Sequence, residues 1–375
     1  MSINQYYALG SSGLRVSRLA LGTMTFGQPG WGSDEAKSRE IFNAFVEAGG
    51  NFFDTADAYS EGRSEALLGK FVAERKMRDQ AVISTKFTVT SDPKNPNAGG
   101  NGRKNIMRAV DASLARLGAD WIDLYIMHVW DGVTPAEEVL GALDDLVRAG
   151  KILHFAVSDC PAWYAARMQA ISECRGLHRP CAAQMEYSLI ARDIEHEFTP
   201  LALHHGLALM VWSPLASGLL SGKYKPSEDA DGPSGVGRLE SVKDDSNSAF
   251  EKLKAQAREP RNWRIISELE AAAREVDRPM AQVALNWVAN RPGVASVLIG
   301  ASKVDQIESN VAALGFDLPD DIEMRLDEAS TPYAPFPHSY LDETQAMIAG
   351  ACVIGQRPRS YAAFRETVGT SAKLA

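Results

Sequence analysis

Short apolar runs and longer amphipathic stretches alternate along most of this chain. The runs are LALG (19–22), Phe52-Phe53 ending at Asp54, AVIST ending at Lys86, WIDLYIM ending at His128, and then the segments 151–157, 182–185, 207–212 and 294–299. Each is nearly all apolar, as strands buried on both faces must be. Between them apolar residues recur at helical spacing over 34–48, from Ser64 to about Arg75, up to Leu117, from Pro135 to Ala149, from Pro161, and over 199–205, 263–276, 280–290, 303–313 and 319–329. Ser33 or Asp34 supplies an N-cap for the first of these helices, and Gly49-Gly50 stops it. Eight strand–helix units in one chain predict an α/β fold, a closed (β/α)8 TIM barrel forming one domain over 1–330.

Three stretches depart from the alternation. Residues 6–19 read as a hairpin around Gly10-Ser11-Ser12-Gly13, placed to plug the N-terminal mouth of the barrel. From 213 to about 260, after the seventh strand, no long strand or helix pattern is legible, and glycine, serine and charged residues dominate. A loop of that length in a compact domain is either functional or disordered. Beyond 330 a C-terminal extension, 331–375, is richer in Pro, Tyr, Ala and Thr and is expected to pack on the barrel. No GxGxxG follows the first strand, which argues against an open dinucleotide-binding sheet.

Composition narrows the partners. The net charge is −9, without a basic cluster, which argues against nucleic acid or an anionic membrane surface. No apolar run approaches the ~20 residues of a transmembrane helix, and the N-terminus lacks the charged and apolar regions of a signal peptide, so the expected location is cytoplasmic. Cys160, Cys174, Cys181 and Cys352 have no metal-binding spacing. Cys174 and Cys181 can be drawn as a disulfide, but a cytosolic chain keeps its thiols reduced. The adjacent His204 and His205 point about 100° apart on a helix and cannot share a metal in the i, i+4 manner. No metal is expected.

Ionisable residues at strand ends change the picture most. In a barrel of this kind the C-terminal ends of the strands carry chemistry. Asp54, Lys86 and His128 end three consecutive strands, and Tyr59 lies five residues after Asp54 in the following loop. Taken singly, the tyrosine is a surface or core residue, the lysine a solvated charge and the histidine a structural hydrogen-bonder. Together, in this order and within the words DTADAYSEGRSEALLG, STKF and LYIMH, they resemble the catalytic tetrad of the aldo-keto reductases. The resemblance covers roughly 6–330 and is strongest to the aryl-alcohol dehydrogenase and potassium-channel β-subunit branches.

That resemblance implies reversible reduction of aldehydes or ketones to alcohols, with hydride from a nicotinamide and the proton from Tyr59. A free phenol titrates near ~10, and the Lys86 ammonium, held charged by Asp54, is expected to lower that value. His128 would hydrogen-bond the carbonyl oxygen. The implied cofactor is NADP(H), with NAD(H) as the alternative. Thr23, Met24, Asp54, Ser158, Asp159, Gln184 and Trp212 would surround the nicotinamide, Asp159 standing where asparagine is usual in the family. Ser213, Pro214, Leu215, Gly218, Leu219 and Lys223 would cradle the pyrophosphate, with Arg238 in the long loop. Gly300, Ser302, Lys303, Gln306 and Asn310 open the last barrel helix and would meet the adenosine end, Gln306 replacing a frequent arginine. Met24, Phe26, Trp31, Phe87 and Trp130, just after strand ends, are expected to line an apolar, aromatic-tolerant substrate pocket together with Tyr59. The expected partner is a small carbonyl or alcohol. The channel-subunit branch leaves a second possibility, a nicotinamide-binding regulatory protein with little turnover. Oligomeric state is not legible.

Overall fold

In the computed structural model, which describes residues 3, 5–226 and 248–349, eight parallel strands close on one another. They are β3 (Leu19–Gly22), β4 (Phe52–Asp54), β5 (Val82–Phe87), β6 (Ile122–Met127), β7 (Ile152–Ser158), β8 (Ala182–Glu186), β9 (Ala208–Trp212) and β10 (Val294–Ile299), in that order around the barrel, with β10 pairing back onto β3. The (β/α)8 expectation holds, with strand limits within two residues of those read from the apolar runs.

The hairpin is also present, as β1 (Tyr6–Ala8) and β2 (Arg15–Ser17), paired antiparallel. Leu9 and Val16 pack with the inward-facing residues of the barrel, Ala20, Phe52, Val82, Leu124, Ala156 and Met210 among them, so the hairpin does close that end. Its turn is pressed on the strand starts. A Cβ at Gly10 would lie 2.0 Å from the carbonyl oxygen of Cys181, and φ there is +57°, so only glycine fits.

The strands alternate between two environments, with a register shift in β10 between Val294 and Ser296. Even-numbered positions such as Phe52, Val82, Leu124, Ala156 and Ala182 fill the lumen. Odd-numbered ones such as Phe53, Ile83, Tyr125, Val157 and Ala183 pack outward on the helices. The helices that matter here are α1 (Glu35–Glu47), α2 (Arg63–Glu74), α3 (Arg103–Leu117), α4 (Ala136–Arg148), α5 (Ala162–Arg175) and α6 (Phe198–His205). Asp34 caps α1 through its carboxylate to the Lys37 N–H, 2.9 Å.

The span 213–260 needs correction. It contains a short 3-10 turn, Ala216–Ser221, and an α-helix, α7 (Ser248–Arg258). The helix is hard to read because it is highly charged and emerges from a Ser- and Asp-rich stretch. Its last carbonyls find partners on the next helix, α8 (Pro260–Glu275): Asn262 Nδ2 donates to the Gln256 carbonyl at 2.8 Å and Trp263 Nε1 to that of Ala257 at 2.9 Å. Arg238 and the rest of 227–247 lie outside the described residues. There follow α9 (Met280–Ala289), α10 (Val304–Ala312), α11 (Asp320–Ser330) and, in the extension, α12 (His338–Ala349). The imidazole of His338 stacks on that of His196, centroids 5.3 Å apart, and Nε2 lies 3.5 Å from Glu197. Residues 350–375 are outside the description. Among the described residues no helix is long and apolar enough to cross a membrane.

Candidate active site

Lumen parity brings the predicted residues together. Asp54, Lys86, His128, Ser158, Gln184 and Trp212 are all even-numbered, in phase with the lumen-filling residues of their own strands, and all stand at C-terminal strand ends. Tyr59 reaches the same mouth from the β4–α2 loop, where it opens a kinked turn with Ser60 and Glu61 at positive φ. Ser60 Oγ donates to the Phe26 carbonyl at 3.0 Å and anchors that turn.

Lys86 is the hub. It is fully buried, and its Nζ donates to Asp54 Oδ1 (2.5 Å), to the Thr55 carbonyl (2.8 Å) and to the Tyr59 hydroxyl (3.2 Å). Three donors meet three acceptors, which an ammonium satisfies completely. Asp54 Oδ2 accepts from Ser84 Oγ at 2.8 Å and from Gln184 Nε2 at 2.9 Å. Ser84, also lumen-facing, was absent from the sequence reading. The signal was available two residues before Lys86, since i and i+2 share a face of a strand.

The charges follow from this geometry. Burial alone would lower the Lys86 pKa, but Asp54 and Tyr59 outweigh it and raise it, so Lys86 stays an ammonium. For Tyr59 the direction differs from the expectation: Lys86 does pull the phenol down, but burial pushes up more strongly, and the net shift is upward. His128 faces the Tyr59 ring edge-on, centroids 5.8 Å apart. Burial, with Lys86 adding repulsion, drops its pKa to about 3, so it acts as a neutral hydrogen-bonding group. Its Nδ1 is buried without a partner.

The surrounding residues divide by what already holds them. Ser158 Oγ is buried and unpartnered at the mouth, a group waiting for an amide or carbonyl. Asp159, at φ +40°, accepts from Trp212 Nε1 at 3.1 Å, which sets the indole and gives an acceptor a use where a donor was expected. Thr23 is committed inward, its hydroxyl bonding the Asp54 carbonyl (3.0 Å) and Ser64 Oγ (2.8 Å). Met24 and Trp31 are partly buried beside it in chain order. Ser213, Ala216, Ser217 and Gly218 all have positive φ, a succession of turned peptides of the sort that gathers N–H groups into anion-binding concavities. Pro214 and Leu219 are buried beneath, Leu219 in the core, while Leu215 is partly buried and Lys223 exposed.

On the neighbouring strand end, after β10, Gly300 has open space where a side chain would stand. Gln306 Oε1 accepts from the Ser302 N–H at 2.8 Å and caps the start of α10. Lys303 is exposed at the N-cap position, and Asn310 is buried.

Two pocket assignments are corrected. Phe87 follows Lys86 by one residue and therefore faces outward. Its ring is fully buried against Tyr125, centroids 4.9 Å apart, between sheet and helices. Phe26 is likewise buried, edge-on to Phe71 of α2. Trp130 is partly exposed at the mouth. Among the described residues no cluster of His, Cys, Asp and Glu suited to a metal is found.

The sequence profile of the Aldo/keto reductase family matches residues 18–331. Similar curated proteins include norsolorinic acid reductase of Aspergillus flavus, 33% identical over 344 residues, covering 89% of this chain and 83% of that protein. A probable voltage-gated potassium channel subunit beta of Oryza sativa subsp. japonica is 35% identical over 316 residues, 83% of this chain and 91% of its own. An aryl-alcohol dehydrogenase of Pestalotiopsis microspora is 30% identical over 342 residues, 88% of this chain and 83% of its own.

Proposed function

The chain belongs to the aldo/keto reductase family, an oxidoreductase by its kin, and from that premise we propose that it reduces aldehydes or ketones to alcohols, reversibly, with NADP(H). The observation that carries the reading is the Lys86 ammonium shared between the Asp54 carboxylate and the Tyr59 hydroxyl, buried at the lumen mouth. Tyr59 donates its proton to the carbonyl oxygen as that oxygen gains charge. Lys86 stabilises the phenolate left behind, and Asp54 holds Lys86 in place. Neutral His128 contributes a hydrogen bond at the same oxygen without competing as an acid.

The residues present fit a nicotinamide dinucleotide. Ser158, Asp159 and Gln184 would face the carboxamide, with the Trp212 ring, oriented by Asp159, beside it. The positive-φ run 213–218 would take the pyrophosphate, with Leu215 and Lys223 near it, and Gly300, Ser302 and Lys303 the adenosine phosphate end. Bound in reduced form, such a group would supply the hydride needed at the carbonyl carbon. Preference for NADP(H) over NAD(H) rests on Lys303, because Gln306 is neutral and cannot form a charged pair with a 2′-phosphate.

Steady-state turnover of an aldehyde panel with each nucleotide tests the reading. Tyr59→Phe is expected to lower kcat by ~10²–10⁴-fold with nucleotide affinity nearly unchanged. Near-normal turnover would move the acid role elsewhere, to His128 first. Lys303→Ala should weaken NADPH binding more than NADH binding, and equal weakening would place the 2′-phosphate on other groups. The channel-subunit relative keeps a second reading in view, a regulatory nucleotide-binding protein. Tight nucleotide binding with no turnover on any carbonyl would favour it.

A further inference from the structure

Asn101 ends the loop that joins β5 to α3, and it is fully buried. An asparagine that deep needs partners for its polar groups, and it finds them at the catalytic mouth. Its backbone N–H donates to Asp131 Oδ2 at 2.8 Å, its Nδ2 donates to the Val129 carbonyl at 2.9 Å, and its Oδ1 accepts from the Thr88 hydroxyl at 2.6 Å. Thr88 follows Lys86 by two residues, and Val129 and Asp131 follow His128 by one and three. One side chain therefore ties the exit of β5 to the exit of β6.

Thr88 shows what the tie imposes. Its φ is +120°, a region that a β-branched residue rarely enters, and such conformations persist only where the surroundings enforce them. The Thr88 hydroxyl is held by Asn101, and its carbonyl accepts from the Gly100 N–H at 2.7 Å. Asp131 secures the junction from the β6 side, its carboxylate also accepting from the N–H groups of Val133 and Thr134 and from the Thr134 hydroxyl. His128 depends on this scaffold. Its Nδ1 has no partner to fix the ring, so the backbone on either side must aim it. The His128 N–H donates to the Phe87 carbonyl at 3.0 Å, and the Val129–Trp130 peptide is held at both ends, its carbonyl by Asn101 and its N–H by the Asp159 carbonyl at 3.4 Å. Of these three anchors only that of Asn101 is made by a side chain, so it can be removed while the strand pairing stays.

We propose that Asn101 is a positioning residue for the reaction: by joining the Thr88 hydroxyl to the Val129 carbonyl it fixes the chain after β6, so that the His128 ring faces the carbonyl oxygen beside Tyr59. This rests on the reductase reading and adds a residue to it. An asparagine that merely closed a loop would, when removed, lower stability without acting through His128.

The test uses the full chain with NADPH, on 4-nitrobenzaldehyde and butyraldehyde. Compare wild type, Asn101→Ala, His128→Ala and the double variant, with thermal melting to verify folding. Asn101→Ala should lower kcat about tenfold to a hundredfold, the scale of a misplaced reacting group, with the dissociation constant of NADPH within about twofold of wild type. In the His128→Ala background the same substitution should change the rate by less than about threefold, because the ring it aims is gone. Rates too slow for steady state are read as single-turnover oxidation of NADPH. The ring nitrogen resonances of His128, assigned by their absence in His128→Ala, should shift in Asn101→Ala. Thr88→Val keeps the shape of its residue and removes only the hydroxyl. It should show the same dependence on His128 at about twofold to fivefold, and it carries the test if Asn101→Ala does not fold. Equal losses with and without His128, unshifted ring resonances, or a kcat of Asn101→Ala within about twofold of wild type overturns the inference and leaves the reductase reading intact. A wild type that turns over neither aldehyde removes the reductase reading, and this inference with it.

Discussion

Two buried polar clusters sit back to back on strands β4–β6, one facing the lumen and one facing the helices, and their fates differ. Inside, Lys86, Asp54, Ser84, Gln184 and Tyr59 form a network in which the ammonium finds three acceptors and the carboxylate accepts on both oxygens. Outside, Thr85 donates to Glu65 Oε1 at 2.6 Å and Arg116 Nε to Glu65 Oε2 at 2.5 Å, but Asp57 Oδ1 and the Tyr125 hydroxyl are buried without partners. Asp57 faces Glu65 on α2 and Arg116 and Arg108 on α3, with Tyr125 on β6 coupled to it. Burial first, then Glu65, raise its pKa to about 7. Unpartnered atoms at the mouth, Ser158 Oγ and His128 Nδ1, lie where the proposed nucleotide and carbonyl would arrive. Asp57, with Oδ1 unpartnered and a backbone N–H of Ala58 on its carboxylate, answers burial with a raised affinity for a proton. Similar burial gives a charged working group on one face of the sheet and a proton-binding structural group on the other.

The sharpest way to break this contrast is Lys86→Met. It removes the hub of the inner network, and kcat should drop by ~10²–10⁴-fold. Any limb of the pH–rate profile due to Tyr59 should move to higher pH, because Lys86 is what pulls that phenol down. A kcat within threefold of wild type (about 0.7 kcal/mol) would mean that the two faces do not differ in function.

Asp57→Asn addresses the outer face. The folded-state pKa of Asp57 is raised, so between the ordinary carboxylate value and about 7 the folded protein binds more protons than the unfolded one. Its contribution to stability is therefore present at low pH and lost as pH rises through about 7. The asparagine variant lacks that loss. Relative to wild type it should gain stability toward higher pH, with a slope of up to about 1.4 kcal/mol per pH unit within the window. Denaturant melts from acidic to slightly alkaline pH measure it, and parallel curves would remove Asp57 from the account.

The smallest effect is expected for Thr85→Val, which removes a hydrogen bond to the buried Glu65 carboxylate. It should cost about 1.5–3 kcal/mol with kcat unchanged, since Thr85 faces away from the lumen. A large loss of kcat with normal stability would show that the outer cluster feeds the chemistry.

Asp54, Tyr59, Lys86 and His128 were legible because ionisable residues at strand ends, in a fixed order among apolar runs, stand out from the pattern around them. Ser84 and the outward turn of Phe87 were legible in principle through the two-residue period, but a search for residues just after strand ends ignores which face each one takes. Helix α7 and the bonds that close it were not legible, because their partners are carbonyls and side chains supplied by the neighbouring helix. The Trp130–Trp163–Tyr164 cluster joins residues about thirty positions apart, on a loop and a helix start that the pairing of β6 with β7 brings side by side.

By itself the sequence determined the eight strand–helix units, the hairpin that plugs the barrel, the family and the four strand-end and loop residues at the mouth. Periodicity and residue type are local properties, and the barrel follows from them. Only the tertiary structure decided the charge states and the loyalties of the polar groups. Lys86 lowers the pKa of Tyr59 and burial raises it, and which prevails depends on how much water the packed mouth excludes. Gln306 caps a helix, Asp159 aims an indole and Asp57 holds a proton because of what the folded chain sets beside each of them, and in what dielectric.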